Sequence, residues 1–152
     1  MSRNRRWSKG FTLLELLCVL AFIAVFAFLS VPRWEKVKER HELEAEARKV
    51  AWILREARQD AIMSGEVRKV VFYPLASKYR DHNGGWHELR TGIKMAVNFN
   101  TITGTPACVF SPNGAPNGGT VTLIGKSQLK RYVVVSPVTG RVRVADTPPD
   151  NW

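Results

Sequence analysis

The chain is short of cysteine and of acid, and it holds a single long apolar run. Its two cysteines, Cys18 and Cys108, fall in segments of opposite character, one apolar throughout and one of mixed polarity. They are not expected to pair, which excludes a disulfide-stapled fold. Asp and Glu number 13 against 23 Lys and Arg, a formal charge of +10. Such a balance suits polyanions or anionic lipid surfaces, and it serves solubility equally well. No repeat or low-complexity tract interrupts the 152 residues, enough for one domain beside an anchor. Ser, Cys and His form no catalytic pattern and no carboxylate pair stands out, so neither an enzyme nor a cofactor is expected. Asp81-His82-Asn83-Gly84-Gly85-Trp86-His87 carries two histidines and an acid without ligand spacing. A polar hairpin loop is expected there rather than a metal site. Gly125-Lys126-Ser127 echoes a phosphate-binding loop, but Thr120 stands where its first glycine belongs and no helix follows.

What is present begins with Phe11 to Val31, 21 residues with one charge, Glu15. At about 1.5 Å per residue a helix of this length spans roughly 30 Å, the thickness of a bilayer's hydrocarbon core. Arg3, Arg5, Arg6 and Lys9 precede it without an acid. Basic residues there keep the N-terminus cytoplasmic and place everything after Pro32 outside. A secretory signal peptide has a shorter apolar region, about 7–15 residues, that ends at small residues. A plain signal anchor fits the hydropathy but leaves Glu15 unexplained, since a carboxylate at membrane centre costs roughly 2.5–3.5 kcal/mol.

Gly10-Phe11-Thr12-Leu13-Leu14-Glu15, the apolar run and Pro32 together resemble the class III leader and N-terminal helix of type IV pilins and type II secretion pseudopilins. The resemblance implies that residues 1–10 are a leader, removed between Gly10 and Phe11 by a prepilin peptidase, and that Phe11 is then N-methylated. It implies that Glu15 neutralises the terminal amine of a neighbouring subunit during assembly. Glu15 lies four residues from Phe11 on the same helical face, which suits that role. Other pilin or pseudopilin subunits, an inner-membrane assembly platform and the membrane are the implied partners. The implied location is the bacterial inner membrane, with the globular part periplasmic, and after assembly the pilus or pseudopilus. The C-terminal disulfide loop of many major pilins is missing.

The spacing predicts a membrane or filament-core helix over 11–32, with Pro32 as a kink, and an amphipathic continuation over 33–65. Leu43, Ala47, Val50, Leu54, Ala57 and Ala61 recur at three- and four-residue steps as a narrow apolar stripe, and Gly65 supplies the stop. Trp34 is expected at the outer interface and Trp52 in the core. Residues 66–145 turn to a strand-like period: 67–74, one or two strands in 86–99 with a bulge or turn at Gly92, then 107–110, 119–125, 131–136 and 140–145. A loose tail is expected over 146–152. The pattern defines an α+β fold, a long helix laid on one curled antiparallel sheet. Within it, REARQDAIMSGEVRKVVF, CVFSPNGAPNGGTVTL and VVVSPVTGRVRV resemble the globular part of GspH/FimT-type minor pseudopilins and pilins. In that family an Arg-x-x-Ala-like helix end, a Phe-x-Pro-x-Gly turn and a Thr-Gly-Arg strand recur. The resemblance implies a low-abundance subunit that primes or caps a filament.

Arg141 and Arg143 alternate with Val142 and Val144, so on a strand the two guanidiniums share a face roughly 6–7 Å apart. Guanidiniums are bidentate phosphate ligands. Lys130 and Arg131 extend the patch if 131–136 and 140–145 pair as a hairpin, though nearer its far end. Gly140-Arg141-Val142-Arg143 resembles the Gly-Arg-x-Arg motif of DNA-binding FimT-like pilins, which implies non-specific, salt-sensitive binding of double-stranded DNA during uptake as an alternative function. A solvated or aggregation-resistant strand face is the plainer account.

Overall fold

The computed structural model describes residues 12–102 and 104–149, with the side chains of 28–33 and 102 left out of account. A helix, α1, runs from Leu13 to Ser64. Thr12 accepts the Glu15 backbone N–H at 3.2 Å through its hydroxyl, a side-chain cap on the first turn. Gly65 ends the helix with φ +69°, and its N–H donates to Ala61 at 3.1 Å. The residues fall into two units, one up to Val37 and one from Lys38 onward. In the first unit the large apolar side chains among the described ones stand in the open: Leu13 is 79 % exposed and Phe22 65 %. Among the described residues no helix is long and apolar enough to cross a membrane. The run that carries the expected span includes residues outside the described ones.

In the second unit, nine strands among the described residues follow α1 and form two antiparallel sheets where one was expected. Sheet one takes the order β3-β2-β1-β6-β5 and sheet two β4-β7-β8-β9. The strands are β1 (Arg68–Tyr73), β2 (Lys78–Arg80), β3 (Trp86–Glu88), β4 (Lys94–Val97), β5 (Thr101–Ile102), β6 (Thr105–Phe110), β7 (Gly119–Ile124), β8 (Lys130–Val135) and β9 (Val142–Ala145). β4 leaves its neighbours in sequence and pairs with β7, Val97 opposite Val121, while β1 reaches forward to β6, Val70 opposite Cys108. This exchange divides the strands between the sheets. Phe72 of sheet one stacks on Phe99, just past β4, with ring centroids 5.4 Å apart and planes within 7°.

All six residues of the predicted stripe are buried, and Ala51 and Ile53 join them, so the buried face of α1 is wider than the spacing implied. They share one core cluster with Val70, Phe72, Phe110, Leu123, Val133 and Val135. Alanine at 47, 51, 57 and 61 leaves no side-chain bulk between helix backbone and sheet, which permits close approach. Cys108 sits in this core, and burial pushes its thiol pKa up, so it is an inert apolar filler. Trp52 departs from expectation: it is 67 % exposed, on the face of α1 turned away from the core. At the β7–β8 turn, Glu39 of α1 accepts the Ser127 N–H at 2.8 Å and the Ser127 hydroxyl. Gly125-Lys126-Ser127 is therefore a hairpin turn fastened to the helix.

Close helix–sheet fit generates a prediction. Ala57→Leu should cost about 1–3 kcal/mol by overpacking, read as a lower urea midpoint at unchanged slope. A loss under about 0.5 kcal/mol, the range of surface substitutions, would mean that the helix does not sit tightly on the sheets.

Candidate functional site

The last turns of α1 carry Arg55 and Arg58 at i and i+3, beside the buried Ala57 and Ala61. That spacing puts both guanidiniums on the flank of the apolar stripe. Each reaches the backbone of a distant segment. The Arg58 Nε–H donates to the Gly114 carbonyl at 3.0 Å, and its Nη2 donates to the Thr139 carbonyl at 3.4 Å. The Arg55 Nη2 donates to the Val142 carbonyl at 2.9 Å, on the open edge of sheet two. Arginine suits this task because its planar fork offers five donors that never titrate.

Both segments are built to present those carbonyls. After β6, Phe110-Ser111-Pro112-Asn113-Gly114 makes a tight turn. Gly114 N–H donates to Ser111 at 2.8 Å, Ser111 N–H to Ala115 at 2.9 Å, and the Asn113 side chain accepts Ala115 N–H at 3.0 Å. Between β8 and β9, Gly140 N–H donates to Ser136 at 2.9 Å and Ser136 N–H to Arg141 at 3.0 Å. Gly140 is in the left-handed region, φ +66°, and a Cβ there would lie 2.5 Å from Arg58 Nε and 2.7 Å from the Gly114 carbonyl oxygen. Only glycine meets both conditions. Three sequence motifs that lie far apart in the chain (Arg58 to Ala61, Phe110 to Gly114, Thr139 to Arg141) thus meet at one guanidinium.

Arg141 and Arg143 project from this hub. Both are exposed, while Val142 between them is buried, the alternation the sequence predicts. They line an open groove of about 610 Å³ together with Arg55, Arg58, Gln59 and Thr139. Two of its four arginines are bound to backbone carbonyls, which leaves Arg141 and Arg143 as the accessible cations. Such a groove can contact an anion. Lys130 is exposed at the start of β8, at the opposite end of the hairpin from the Val134–Arg143 pair. Arg131 must be removed from the patch: its side chain is 12 % exposed and holds Glu44 at 2.9 Å and Asp146 at 3.0 Å. Register explains this, since a hairpin turning at 136–141 puts residue 131 opposite 146, within reach of an acid.

The remaining sequence candidates lie elsewhere. Glu15 is exposed in the first turn of α1. Gly10 and Phe11 lie outside the described residues, as does the side chain of Pro32, whose backbone falls within α1. The two histidines, His82 in the β2–β3 loop and His87 on β3, part company. His87 Nε2 meets the Asp81 carboxylate at 2.7 Å, whereas His82 Nε2 lies 3.9 Å from Asp60. Asp81 also accepts the N–H groups of Asn83 at 2.9 Å and Gly85 at 2.7 Å. Burial raises the pKa of its carboxyl, but the bonds from His87, Gly85 and Asn83 outweigh it and hold the group below the usual carboxylate range. Arg55 and Arg58 were not singled out as site residues. The usable signal was their i, i+3 spacing, read together with two glycine turns that need a donor.

A single long helix packed on antiparallel sheets, with its last turns tied to two glycine turns, defines the pilin-like α+β class. Residues 46–140 match the family of type II transport protein GspH, and the chain belongs to that family. Among solved structures it is similar to the minor pseudopilin EpsH of the type 2 secretion system of Vibrio cholerae. That likeness has TM-score 0.56 at 16 % identity and covers 69 % of this chain and 97 % of that one. It is also similar to the type IV minor pilin FimU of Pseudomonas aeruginosa, at TM-score 0.56 and 16 % identity, over 72 % of this chain and 92 % of that one. At such identities the likeness is one of fold. No curated protein matches the sequence.

Arg58→Met should cost about 1.5–3 kcal/mol, the range for hydrogen bonds to a charged group, and Gly140→Ala about 1–3 kcal/mol from strain. Because both act on one contact, the double variant should lose clearly less than the sum; additive losses in urea titrations would show the two to be independent. The depressed Asp81 carboxyl contributes stability that is present above the ordinary carboxylate pKa and lost as pH falls through its lower folded value. Below about pH 4, the Gly85 amide should therefore lose hydrogen-exchange protection, and Asp81→Asn should abolish that pH dependence. A Gly85 amide whose protection, relative to the intrinsic exchange rate, stays constant with pH in the native protein would contradict the pairing.

Proposed function

We propose that the protein is a minor pseudopilin or pilin, a structural subunit and not an enzyme, built into a pseudopilus or pilus through the first half of α1. The observation that carries the reading is the division of labour along that helix. From Leu43 onward one apolar face, Leu43 to Ala61, is consumed by the core and only Trp52, Ile62 and Met63 stand outside it, whereas Leu13 to Val25 leave their large apolar side chains exposed. Apolar surface on that scale requires a cover of lipid or of neighbouring helices. The 21-residue run Phe11–Val31 supports a membrane stage before assembly, in which residues 11–32 span the inner membrane and the domain from 66 lies on the periplasmic side. Gly10-Phe11 ahead of Glu15 supports cleavage by a prepilin peptidase between the two, with methylation of the new Phe11 amine. That amine then meets Glu15 of a neighbouring subunit, and an assembly platform in the membrane feeds subunits into the filament. Neither the family nor the structural neighbours lend support to DNA uptake, and the Arg141–Arg143 groove by itself supplies only generic anion contact.

Glu15→Ala tests the reading in the native host. Membrane insertion should be unchanged, since the substitution makes the run more apolar, while the amount recovered in sheared filaments should fall about tenfold, equivalent to ~1.4 kcal/mol of lost ion pairing. Normal incorporation would overturn it.

A further inference from the structure

The outer face of sheet one carries a second basic hollow, separate from the arginine groove. It has a volume of about 420 Å³, within the range of ligand sites, and is lined by Lys69 and Val71 of β1, Arg80 of β2, His82 of the following loop and Ala107 of β6. The small Ala107 stands opposite Val71 in register. Arg80 is held in place before any ligand arrives. Its Nε–H donates to the Gly84 carbonyl at 3.2 Å, and its guanidinium lies 5.9 Å from the centre of the Trp86 ring. Trp86 in turn packs on Tyr73 with centroids 5.1 Å apart. The two terminal nitrogens of Arg80 remain, a planar fork fixed by an aromatic column.

Asp81 also lines the hollow, but its carboxylate is bonded to other groups. Both Asp81 oxygens are engaged, one by Asn83 and Gly85 and the other by His87. Asp60, the acid nearest His82, is held by Arg68 at 2.6 Å. Lys69 has no acid partner among the described residues and stands exposed at the hollow. His82, with 3 % of its side chain exposed, leaves its buried Nδ1 without a hydrogen-bond partner. The hollow therefore offers positive charge in excess, one ordered guanidinium, and apolar walls from Val71 and Tyr73.

We propose that this hollow is a docking site for an acidic segment of a partner protein, a carboxylate side chain seated on the Arg80 fork with an apolar neighbour against Val71 and Tyr73. A polyanion such as DNA is the poorer fit, because a phosphate chain needs a line of cations and the hollow supplies one fork and one ammonium between apolar walls. Fixing Arg80 in advance removes an ordering cost from binding. The partner class rests on the assembly reading above, which surrounds this subunit with others.

The test uses the full-length protein in detergent micelles and a fluorescein-labelled, C-terminally amidated peptide of alternating glutamate and leucine. Anisotropy should report salt-sensitive binding that weakens about tenfold or more in Arg80→Gln, the loss of a bidentate charged pair. Lys69→Gln should weaken it less, and Arg141→Gln/Arg143→Gln should leave it unchanged. Equal binding of a glutamine-for-glutamate peptide, undiminished binding by Arg80→Gln, or displacement by duplex DNA more readily than by free glutamate peptide would overturn the site. The assay needs no filament, so its failure would remove this docking site and leave the assembly reading to the Glu15 experiment.

Discussion

One guanidinium holds the domain's far-flung pieces to its helix. Arg58 binds carbonyls 56 and 81 residues further along the chain, in two turns whose own hydrogen bonds aim those carbonyls at it. Apolar packing alone would press the sheets onto α1 without saying where along it they stop, since the buried stripe is largely alanine and aliphatic surface. Hydrogen bonds are directional, so the Arg58 contacts set the seating. Arg55 does the same at the edge of sheet two, where an unpaired strand would otherwise offer its carbonyls to other chains. Glycine at 140 is the counterpart of that arrangement, because any side chain would occupy the guanidinium's place.

Much of this was legible in the residues. The stripe from Leu43 to Ala61 follows from helical spacing, and the longer strands follow from β-branched runs closed by Gly, Pro and Asn. Gly92, foreseen as a bulge or turn, sits at φ +92° between β3 and β4. What escaped notice was short or non-local. β2 and β5 have three and two residues, too few for a period to emerge. The division into two sheets depends on β4 crossing to β7 past two intervening strands, and no local pattern records a partner that distant. Arg131 was misassigned for the same reason: its acid partners lie 87 residues back and 15 residues on, and only the assembled register brings them together. Trp52, expected in the core, falls off the stripe and is exposed.

The site was legible in parts. Arg141 and Arg143 follow from strand alternation, and the three family motifs could each be seen. Their meeting at Arg58 could not, because the motifs are separated by whole strands. Their convergence recasts them as a structural joint with two accessible arginines at its rim. That suits a subunit whose role is to be built in.

We propose that the apolar half of α1 turns from a tether into a building block once an amine is freed at its tip. Intact-mass and N-terminal sequencing of the protein recovered from filaments of its native host tests this most directly. The account predicts a chain that begins at Phe11, heavier by one methyl group. A chain in those filaments that still carries residues 1–10 would contradict it.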